Sequence, residues 1–511
     1  MKKLFFLCPL LLLCVSGLLS QTRSNSAKSQ VEQAIAAMGG IDRLQAIKSA
    51  RVEYRSHLFW LEESERPDGP FIVSYQHATE LRDYAHDVFH QESESWGFGS
   101  FDGMKTSLTV AGGVAQANIG DKHRPMSMDQ VMTAQEALDF SADRLLLAAL
   151  SASDLHALPD TKLHDETYHV IAFTDDGVPV KLYLNGYSGL PAVVEWTRAY
   201  PYSIFWRVWG DVHNWLEFTN YFLLSGGYRV PMQSDLSRNG QPYRSQTIAK
   251  IDFNPAIPED SFAIAPEVKT AFEQRKPLMA DAPPLGKPAP LVEGDDSLVQ
   301  FVGAWNCAIV KQPDGLVLLE APVSSGDTRA LLAEAHKRYP NVPIKAAITT
   351  SDSWPHFGGV REVVANSIPI YATDLNRPIL TRFINAPFTQ SPDTLAKSPK
   401  PAKFRWVSEK TVIGTGPNRL ELYPIRNASG ERMLMVYLPG HKLLYTSDLL
   451  QPGQTGPFFW MEYVREAADA AKRENLSIDR FFGMHMPRSP WTDVEKSLAE
   501  TEAPQAKTAG N

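Results

Sequence analysis

The chain has 511 residues, of which 43% are hydrophobic and 21% are charged. This composition excludes a disordered chain, and the length exceeds one ordinary core, so we expect two folded domains. Acidic residues outnumber basic ones by 58 to 50, which gives a formal net charge of −8. A nucleic-acid partner is therefore not expected.

The first 20 residues have the pattern of a secretory signal peptide. Lys2 and Lys3 precede an apolar run from Leu4 to about Leu19, and the chain then turns polar. The run is short for a membrane anchor and contains Pro9, which favours a cleaved signal peptide over residues 1–20. No later segment is apolar for long enough to cross a bilayer. We therefore expect a periplasmic or secreted protein with no transmembrane span after cleavage.

Patterns up to residue 274 predict a curved antiparallel sheet, or half-barrel, accompanied by helices. Val31–Met38 reads as a helix closed by Gly39 and Gly40, Ile41–Ile47 reads as a second helix, and helical spacing returns over Met128–Leu150. Short alternating or aromatic runs follow, separated by turn residues, and they predict strands. These runs are Tyr168–Phe173, Val178–Leu184, Ala192–Tyr200, Phe205–Val212, Leu216–Leu224 and Gln246–Phe253.

Five prolines at positions 277, 283, 284, 288 and 290 make residues 275–296 too proline-rich for a helix or a sheet interior. We therefore predict a domain linker over residues 275–296. From 297 to 498, strands grouped with helices predict a layered sandwich, so the whole chain belongs to the α+β class. The small, polar residues 499–511 predict a disordered tail.

One segment, Thr349–Val360, reads Thr-Thr-Ser-Asp-Ser-Trp-Pro-His-Phe-Gly-Gly-Val and lies between a buried-looking strand and a helix. The strand at 315–320 precedes it, and the segments Tyr437–Asp448 and Gly483–His485 follow. In this order, residues 297–495 resemble the metallo-β-lactamase fold, whose His-x-His-x-Asp-His loop binds metal and ends in Gly-Gly. The resemblance implies an αββα sandwich and a metal-dependent hydrolase.

The metal ligands of that family are largely replaced in this chain. The first two histidines of the loop fall on Ser351 and Ser353, its aspartate falls on Pro355, and only His356 remains. The next histidine would fall between Ser429 and Met433, where the chain has none. Serine and proline cannot replace imidazole or carboxylate as zinc ligands, so the first metal site has lost every histidine.

The positions that match the family are His356, Asp448 and His485, which would form a single-metal site for zinc or another divalent ion. Such a metal would activate water for attack on an ester, amide, thioester or related bond. Asp352, four residues before His356, is a candidate catalytic base or further ligand. The alternative is a fold that has kept its packing and holds no metal, with the histidines as hydrogen-bonded remnants.

Two functions therefore remain open: an exported hydrolase of this fold, and a non-catalytic periplasmic binding or scaffolding protein for a hydrophobic or cell-envelope ligand. The N-terminal region resembles periplasmic lipoprotein carriers at Ala36–Gly40, at Asn185–Pro191 and in the hairpin at Gly240. This resemblance implies an apolar cavity suited to acyl chains, so the partner would be a small molecule or an envelope lipid. The sequence indicates neither the substrate nor the oligomeric state.

Other chemical motifs are weaker. His86 and His90 have the spacing of a helical zinc motif, but their flanks are strand-like. Cys307 lies in an apolar strand, where a buried inert thiol is the default. A run of aromatic residues could line a ligand cavity or serve sheet packing. The run consists of Trp196, Tyr200, Tyr202, Phe205, Trp206, Trp209 and Trp215.

Overall fold

The structure is a computed structural model that describes residues 26–61, 69, 71–97, 103–119, 122–258, 260–279, 285–426, 432–453 and 456–503. The predicted signal peptide lies outside these residues. The chain divides into two compact units. The N-terminal unit contains the described residues up to Phe59, Val73–Arg198 and Val212–Lys276. The C-terminal unit contains the described part of Trp60–Ile72, the segment Ala199–Asp211, and the described residues from Pro277 onward.

The N-terminal unit is built on one sheet of 13 strands, in the order β6-β5-β4-β3-β2-β1-β13-β12-β11-β10-β9-β8-β7. Its strands are β1 (Ser49–Phe59), β2 (Val73–Asp83), β3 (Val88–Trp96), β4 (Met104–Ala111), β5 (Val114–Ile119), β6 (Lys122–Pro125), β7 (His156–Leu163), β8 (Glu166–Asp175), β9 (Val178–Asn185), β10 (Pro191–Ala199), β11 (Asp211–Leu223), β12 (Arg229–Arg238) and β13 (Gln241–Phe253). Neighbours such as β1 and β13, or β2 and β3, pair antiparallel. The predicted antiparallel sheet is therefore present. Its first and last strands in the sequence, β1 and β13, are neighbours near the middle of the sheet, and β6 and β7 form its edges.

Five helices accompany this sheet: α1 (26–38), α2 (Ile41–Ala46), α3 (Met128–Asp139), α4 (Ala142–Ser151) and α5 (Pro266–Met279). Helix α1 ends where predicted, because Gly39 adopts a φ of 128°. Ser127 and Gln130 form a capping box at the start of α3. The core packs α1 and α4 against the sheet, with Val31 and Leu145 beside Leu182 and Leu216.

The C-terminal unit contains two sheets. The first has the order β14-β15-β16-β17-β18-β19-β20 and the second has the order β21-β22-β23-β24-β25-β26. Their strands are β14 (Lys287–Val292), β15 (Asp295–Val302), β16 (Cys307–Gln312), β17 (Gly315–Leu319), β18 (Ile344–Ile348), β19 (Ile370–Thr373), β20 (Phe404–Val407), β21 (Thr411–Ile413), β22 (Leu420–Arg426), β23 (Arg432–Leu438), β24 (Leu443–Tyr445), β25 (Arg480–Phe482) and β26 (Ser489–Pro490). Strands β17, β18, β19 and β20 run parallel to one another, and β24 runs parallel to β25. The other neighbouring strands of these sheets, such as β16 and β17 or β23 and β24, pair antiparallel.

Helices connect and cover these sheets. They are α6 (Ser325–Arg338), α7 (Trp354–Phe357), α8 (Val360–Ala365), α9 (Arg377–Ile384), α10 (Thr394–Lys397), α11 (Met461–Arg473) and α12 (Thr492–Glu502). Val317 of the first sheet packs with Leu434 and Val436 of the second, so the sheets face each other. Met433 and Met435, on the opposite face of β23, pack with α11 and α12. The α+β class predicted from the sequence is thus confirmed, and in this unit two sheets pack against each other with helices on the outer face of the second.

The strand predicted over Phe205–Val212 is wrong, because Trp206–Trp209 forms a 3₁₀ helix and β11 begins only at Asp211. Two boundaries also differ from the sequence predictions. The predicted linker 275–296 is partly regular structure, because α5 runs to Met279 and β14 spans Lys287–Val292. Strand β14 tolerates Pro288 and Pro290 because it lies at the edge of its sheet and pairs with β15 alone. The predicted tail is also too long, since α12 continues to Glu502. Residues 504–511 lie outside the described part of the chain.

The turn after β17 packs tightly against Gly358 and Gly359. The amide of Gly359 donates to the carbonyl oxygen of Ala321 at 3.0 Å, and the amide of Val323 donates to that of Pro355 at 2.8 Å. A Cβ atom on Gly359 would lie 1.7 Å from Oγ1 of Thr328, within its van der Waals volume. The Gly-Gly pair of the sequence motif is therefore required by this close approach.

We predict that Gly359→Ala destabilises the protein by about 1–3 kcal/mol or more, because the added methyl group overpacks a buried contact. Gly456→Ala is the matched control, since no atom lies within 4 Å of its added Cβ. Urea unfolding measures both variants. Equal stability of the two variants would contradict the packing described here.

Candidate functional site

His356 lies at the centre of a buried polar cluster in the C-terminal unit. Its Nε2 atom is 2.9 Å from Oδ2 of Asp448, and its Nδ1 atom is 3.0 Å from Oε1 of Glu320. His356 and Glu320 have no exposed surface, and Asp448 is 5% exposed. Both ring nitrogens therefore face carboxylates in an environment that excludes water. We call Glu320, His356 and Asp448 the acid–histidine cluster.

The cluster is built from three separate elements. Glu320 follows the last residue of β17, His356 lies in the short helix α7, and Asp448 follows β24 of the other sheet. Glu320 and Ser447 adopt positive φ angles of 83° and 54°. Such backbone conformations cost free energy in residues other than glycine, and they persist where surrounding contacts hold them.

Additional hydrogen bonds satisfy Glu320. Tyr445 donates its hydroxyl to Oε1 of Glu320 at 2.8 Å, and the hydroxyl of Thr350 donates to the same oxygen. The Thr350 hydroxyl also lies 2.8 Å from Oγ of Ser447. Buried charges are tolerated only when they are paired and hydrogen-bonded, and these contacts meet that requirement.

The two neighbouring carboxylates shift the pKa of His356. Burial alone would lower the pKa of His356, but the Asp448 and Glu320 carboxylates raise it well above the ordinary value of 6.5. Burial would raise the pKa of Asp448, whereas the positive charges of His356 and His485 lower it. The two carboxylates therefore favour the protonated imidazole, in which each ring nitrogen can donate to a carboxylate.

His485 lies beside the cluster. Its Nε2 atom is 3.5 Å from Oδ1 of Asp448, and its Nδ1 atom is 3.2 Å from the carbonyl oxygen of Ala304. The side chain is 27% exposed, unlike that of His356. The structure thus brings His356, Asp448 and His485 into one neighbourhood, as the family resemblance implied.

This neighbourhood does not fit a metal ion. A ligating imidazole must offer a lone pair, and both nitrogens of the protonated His356 donate to carboxylates. Ser351, Ser353 and Pro355 supply no ligand at the replaced positions. Over the ranges that the structure describes, no group of three or more His, Cys, Asp or Glu side chains could hold a metal ion. Most of the segment 429–433, where the next histidine of the family would fall, lies outside these ranges.

Asp352, the predicted catalytic base, is 2% exposed and lies on the loop before α7. Glu320, Thr350 and Asp448 supply atoms that contact the ring nitrogens of His356. The catalytic role of Asp352 stays a prediction.

Sequence reasoning missed Glu320, Thr350 and Tyr445 as members of the site. A signal for Glu320 was present in the sequence, because this carboxylate directly follows the apolar run Gly315–Leu319, all of which is buried. A carboxylate in such a position requires partners. The partner Tyr445 could not be identified without the fold, because it is 125 residues away in the sequence.

The weaker candidates occupy ordinary structural positions. His86 lies in a turn beside Asp83 at 2.8 Å, and His90 of β3 contacts Thr109 at 2.9 Å, so the two histidines are not on a helix. Cys307 is fully buried, and burial with the nearby Glu320 and Asp327 charges raises the pKa of its thiol. A thiol in this state is not a nucleophile.

A separate cavity of about 340 Å³ lies within the N-terminal unit. Its apolar lining includes Leu44 and Ile47 beside α2, with Leu216 and Leu236 from the sheet. Polar residues of β1, β2 and β13 line another part. This volume falls at the lower end of the range for sites that bind small molecules.

The predicted aromatic run is divided between the two units. Trp196 stacks on Phe140 with ring centroids 4.4 Å apart, and both rings line the cavity of the N-terminal unit. Trp206 and Trp209 belong to the C-terminal unit, where Trp209 packs 5.6 Å from Phe383. Trp196 of this run therefore lines a cavity, whereas Trp209 packs against a helix.

No protein-family model matches the chain, and no curated protein sequence matches it. Solved structures with similarity include a metallo-β-lactamase from Pontibacter korlensis, with 16% identity and a TM-score of 0.32 over 43% of this chain and 100% of the other. The metallo-β-lactamase FIM-1 from Pseudomonas aeruginosa, in its mono-zinc form, has 19% identity and a TM-score of 0.30 over 43% of this chain and 97% of its own. The sec-alkylsulfatase Pisa1 from Pseudomonas sp. has 18% identity and a TM-score of 0.30 over 42% and 40%. Similarity at this level carries no argument about chemistry.

We predict that Asp448→Asn costs about 1.5–3 kcal/mol near pH 6, because it removes one of the two charged hydrogen-bond partners of the buried imidazole. The raised pKa of His356 contributes stability that is complete below about pH 6.5 and is lost as the pH rises toward the folded-state pKa. The lowered pKa of Asp448 contributes stability above about pH 3.8, which is lost as the pH falls. The difference between wild type and variant is therefore largest between about pH 4 and 6.5.

Urea unfolding from pH 4 to 9 measures this difference. Asp479→Asn is the control, because Asp479 is 63% exposed and lies 3.6 Å from Lys442 at the surface. The account fails if the profiles of wild type and Asp448→Asn remain parallel over the whole pH range.

Proposed function

We propose that this protein binds a small molecule with a long apolar part in the cavity of its N-terminal unit, and that its C-terminal unit is a hydrolase-like fold without metal-dependent catalysis. The observation that carries the proposal is the cavity of about 340 Å³, with apolar side chains from helices and sheet. Cavities of this kind, with a few polar groups among apolar ones, are the usual sites of small-molecule binding.

The acid–histidine cluster supports the second half of the proposal. A general base or nucleophile must reach the reacting atom of a substrate, but His356 and Glu320 are fully buried. The nitrogen atoms of His356 are already occupied by Glu320 and Asp448 at 3.0 and 2.9 Å. The cluster therefore supports a structural role, in which it joins elements of the C-terminal unit.

A ligand in the cavity would be held mainly by burial of its apolar surface. The transfer of apolar surface from water contributes about 25 cal/mol per Å². Because the surrounding side chains belong to a packed core, a ligand would fill existing space rather than displace ordered structure. This reasoning predicts a preference for chain-like molecules over compact polar ones.

The experiment is isothermal titration calorimetry of the full chain with dodecanol, beside two variants of β1. Ser56 is buried and lines the cavity, whereas the neighbouring Arg55 is exposed on the other face of the strand. Ser56→Trp should weaken dodecanol binding by about tenfold or more, because the indole occupies cavity volume, and a tenfold loss corresponds to about 1.4 kcal/mol. Arg55→Trp should leave the affinity unchanged.

Circular dichroism verifies that both variants are folded, and Ser95→Trp, which places an indole in the cavity from β3, replaces Ser56→Trp if the latter is not. Absence of saturable dodecanol binding to the wild-type chain would refute the proposal. Equal affinities of the cavity-filling variant and Arg55→Trp would also refute it.

A further inference from the structure

We propose that the cavity of the N-terminal unit selects amphipathic molecules with an anionic head group, and that Arg244 is the residue that binds this group. The inference rests on the proposed binding function and deepens it, because it names the charge and chemical class of the ligand. The inference rests on a difference among the charged residues that line the cavity. The acidic residues are paired within the protein, whereas the described residues offer no such partner to Arg244.

The acidic residues of the lining are already paired within the protein. Glu80 accepts from Nε of Arg82 at 2.8 Å, and Asp143 accepts from Arg144 at 2.9 Å. Glu136 lies 3.2 Å from Arg238. None of these carboxylates requires a cation from a ligand.

The arginines of the lining differ from one another. Arg82 and Arg238 are held by the carboxylates just described, and Arg229 donates to the carbonyl oxygen of Ala37 at 2.5 Å. Arg244 is half-buried in the lining, and among the described residues we find no hydrogen bond or ion pair for its guanidinium. A half-buried guanidinium without a carboxylate partner attracts anions and has five N–H donors to offer.

The position of Arg244 on β13 places this charge among polar neighbours. Arg244 is the register partner of Leu58, and Gln246, two residues further along the same face, pairs with Ser56. These four residues all line the cavity. Serine and glutamine side chains can add hydrogen bonds to a carboxylate or phosphate held by the arginine.

The apolar remainder of the ligand has a place beside this group. Leu236 on β12 is the register partner of Arg244, and Leu216 on β11 is the partner of Leu236. Both leucines belong to the core and to the cavity lining. A head group at Arg244 would therefore continue into an apolar surface, which is the arrangement that an amphipathic anion requires.

The electrostatic reach of Arg244 agrees with this geometry. Burial would raise the pKa of Glu80, and the charges of Arg82 and Arg244 lower it. The charge of Arg244 is thus felt by a carboxylate that also lines the cavity. A neutral or cationic head group would gain nothing from it.

The experiment compares dodecanoate with dodecanol at pH 8 by calorimetry on the full chain. We expect dodecanoate to bind about tenfold or more tightly, because a hydrogen bond to a charged partner is stronger than one to a hydroxyl. In Arg244→Gln this preference should disappear while the affinity for dodecanol stays the same. Arg244→Lys should keep part of the preference.

Lys250→Gln is the matched control, because Lys250 lies on the same strand, is exposed, and is absent from the cavity lining. It removes the same charge without touching the proposed head-group site, so the preference should be unchanged. Dodecyl phosphate distinguishes a phosphate from a carboxylate head group. A loss of binding for either anion in Arg244→Gln supports the inference, and the tighter of the two identifies the head group.

The inference is overturned if wild type binds dodecanoate and dodecanol equally, or if Arg244→Gln retains the preference for the anion. These results leave the binding function intact, since dodecanol still binds. If the wild-type chain shows no saturable binding of dodecanol, the proposed function itself has failed.

Discussion

The imidazole of His356, held between two carboxylates, is the interaction on which the C-terminal unit depends. Glu320 ends a strand of one sheet and Asp448 follows a strand of the other, so the ring links the two sheets at their ends. Removal of the imidazole would leave two buried carboxylates without its charge, which is far more costly than the loss of one surface contact.

The backbone around the cluster shows how firmly it is held. Glu320 and Ser447 keep positive φ angles, and the turn after β17 contacts Gly358 and Gly359 too closely for any side chain. Strain of this kind is common at functional sites, but here it surrounds groups without exposed surface. The N-terminal unit contains a cavity that combines apolar surface with the guanidinium of Arg244, for which the described residues offer no hydrogen bond or ion pair.

The sequence predicted the elements well and the site only in part. Alternating patterns and turn residues predicted strands such as β8 and β9 and the helix that ends before Gly39, because these features are local in the sequence. The proline-rich segment 275–296 was assigned wrongly in part, since an edge strand accepts prolines that a central strand would not. His356, Asp448 and His485 do lie together, but their partners Glu320 and Tyr445 come from distant strands. The surroundings of Arg244 are set by strands that are distant in the sequence, so no local pattern could predict that the described residues offer its guanidinium no hydrogen bond or ion pair.

The measurement that tests the central claim most directly is the metal content of the purified chain by elemental mass spectrometry, after incubation with zinc, iron or manganese and removal of excess metal. A double variant, His356→Ala with His485→Ala, serves as the reference. The account predicts that wild type and double variant hold the same negligible amount, because both nitrogens of His356 donate to carboxylates. About one metal ion per wild-type chain, absent from the double variant, would contradict it and favour a single-metal hydrolase.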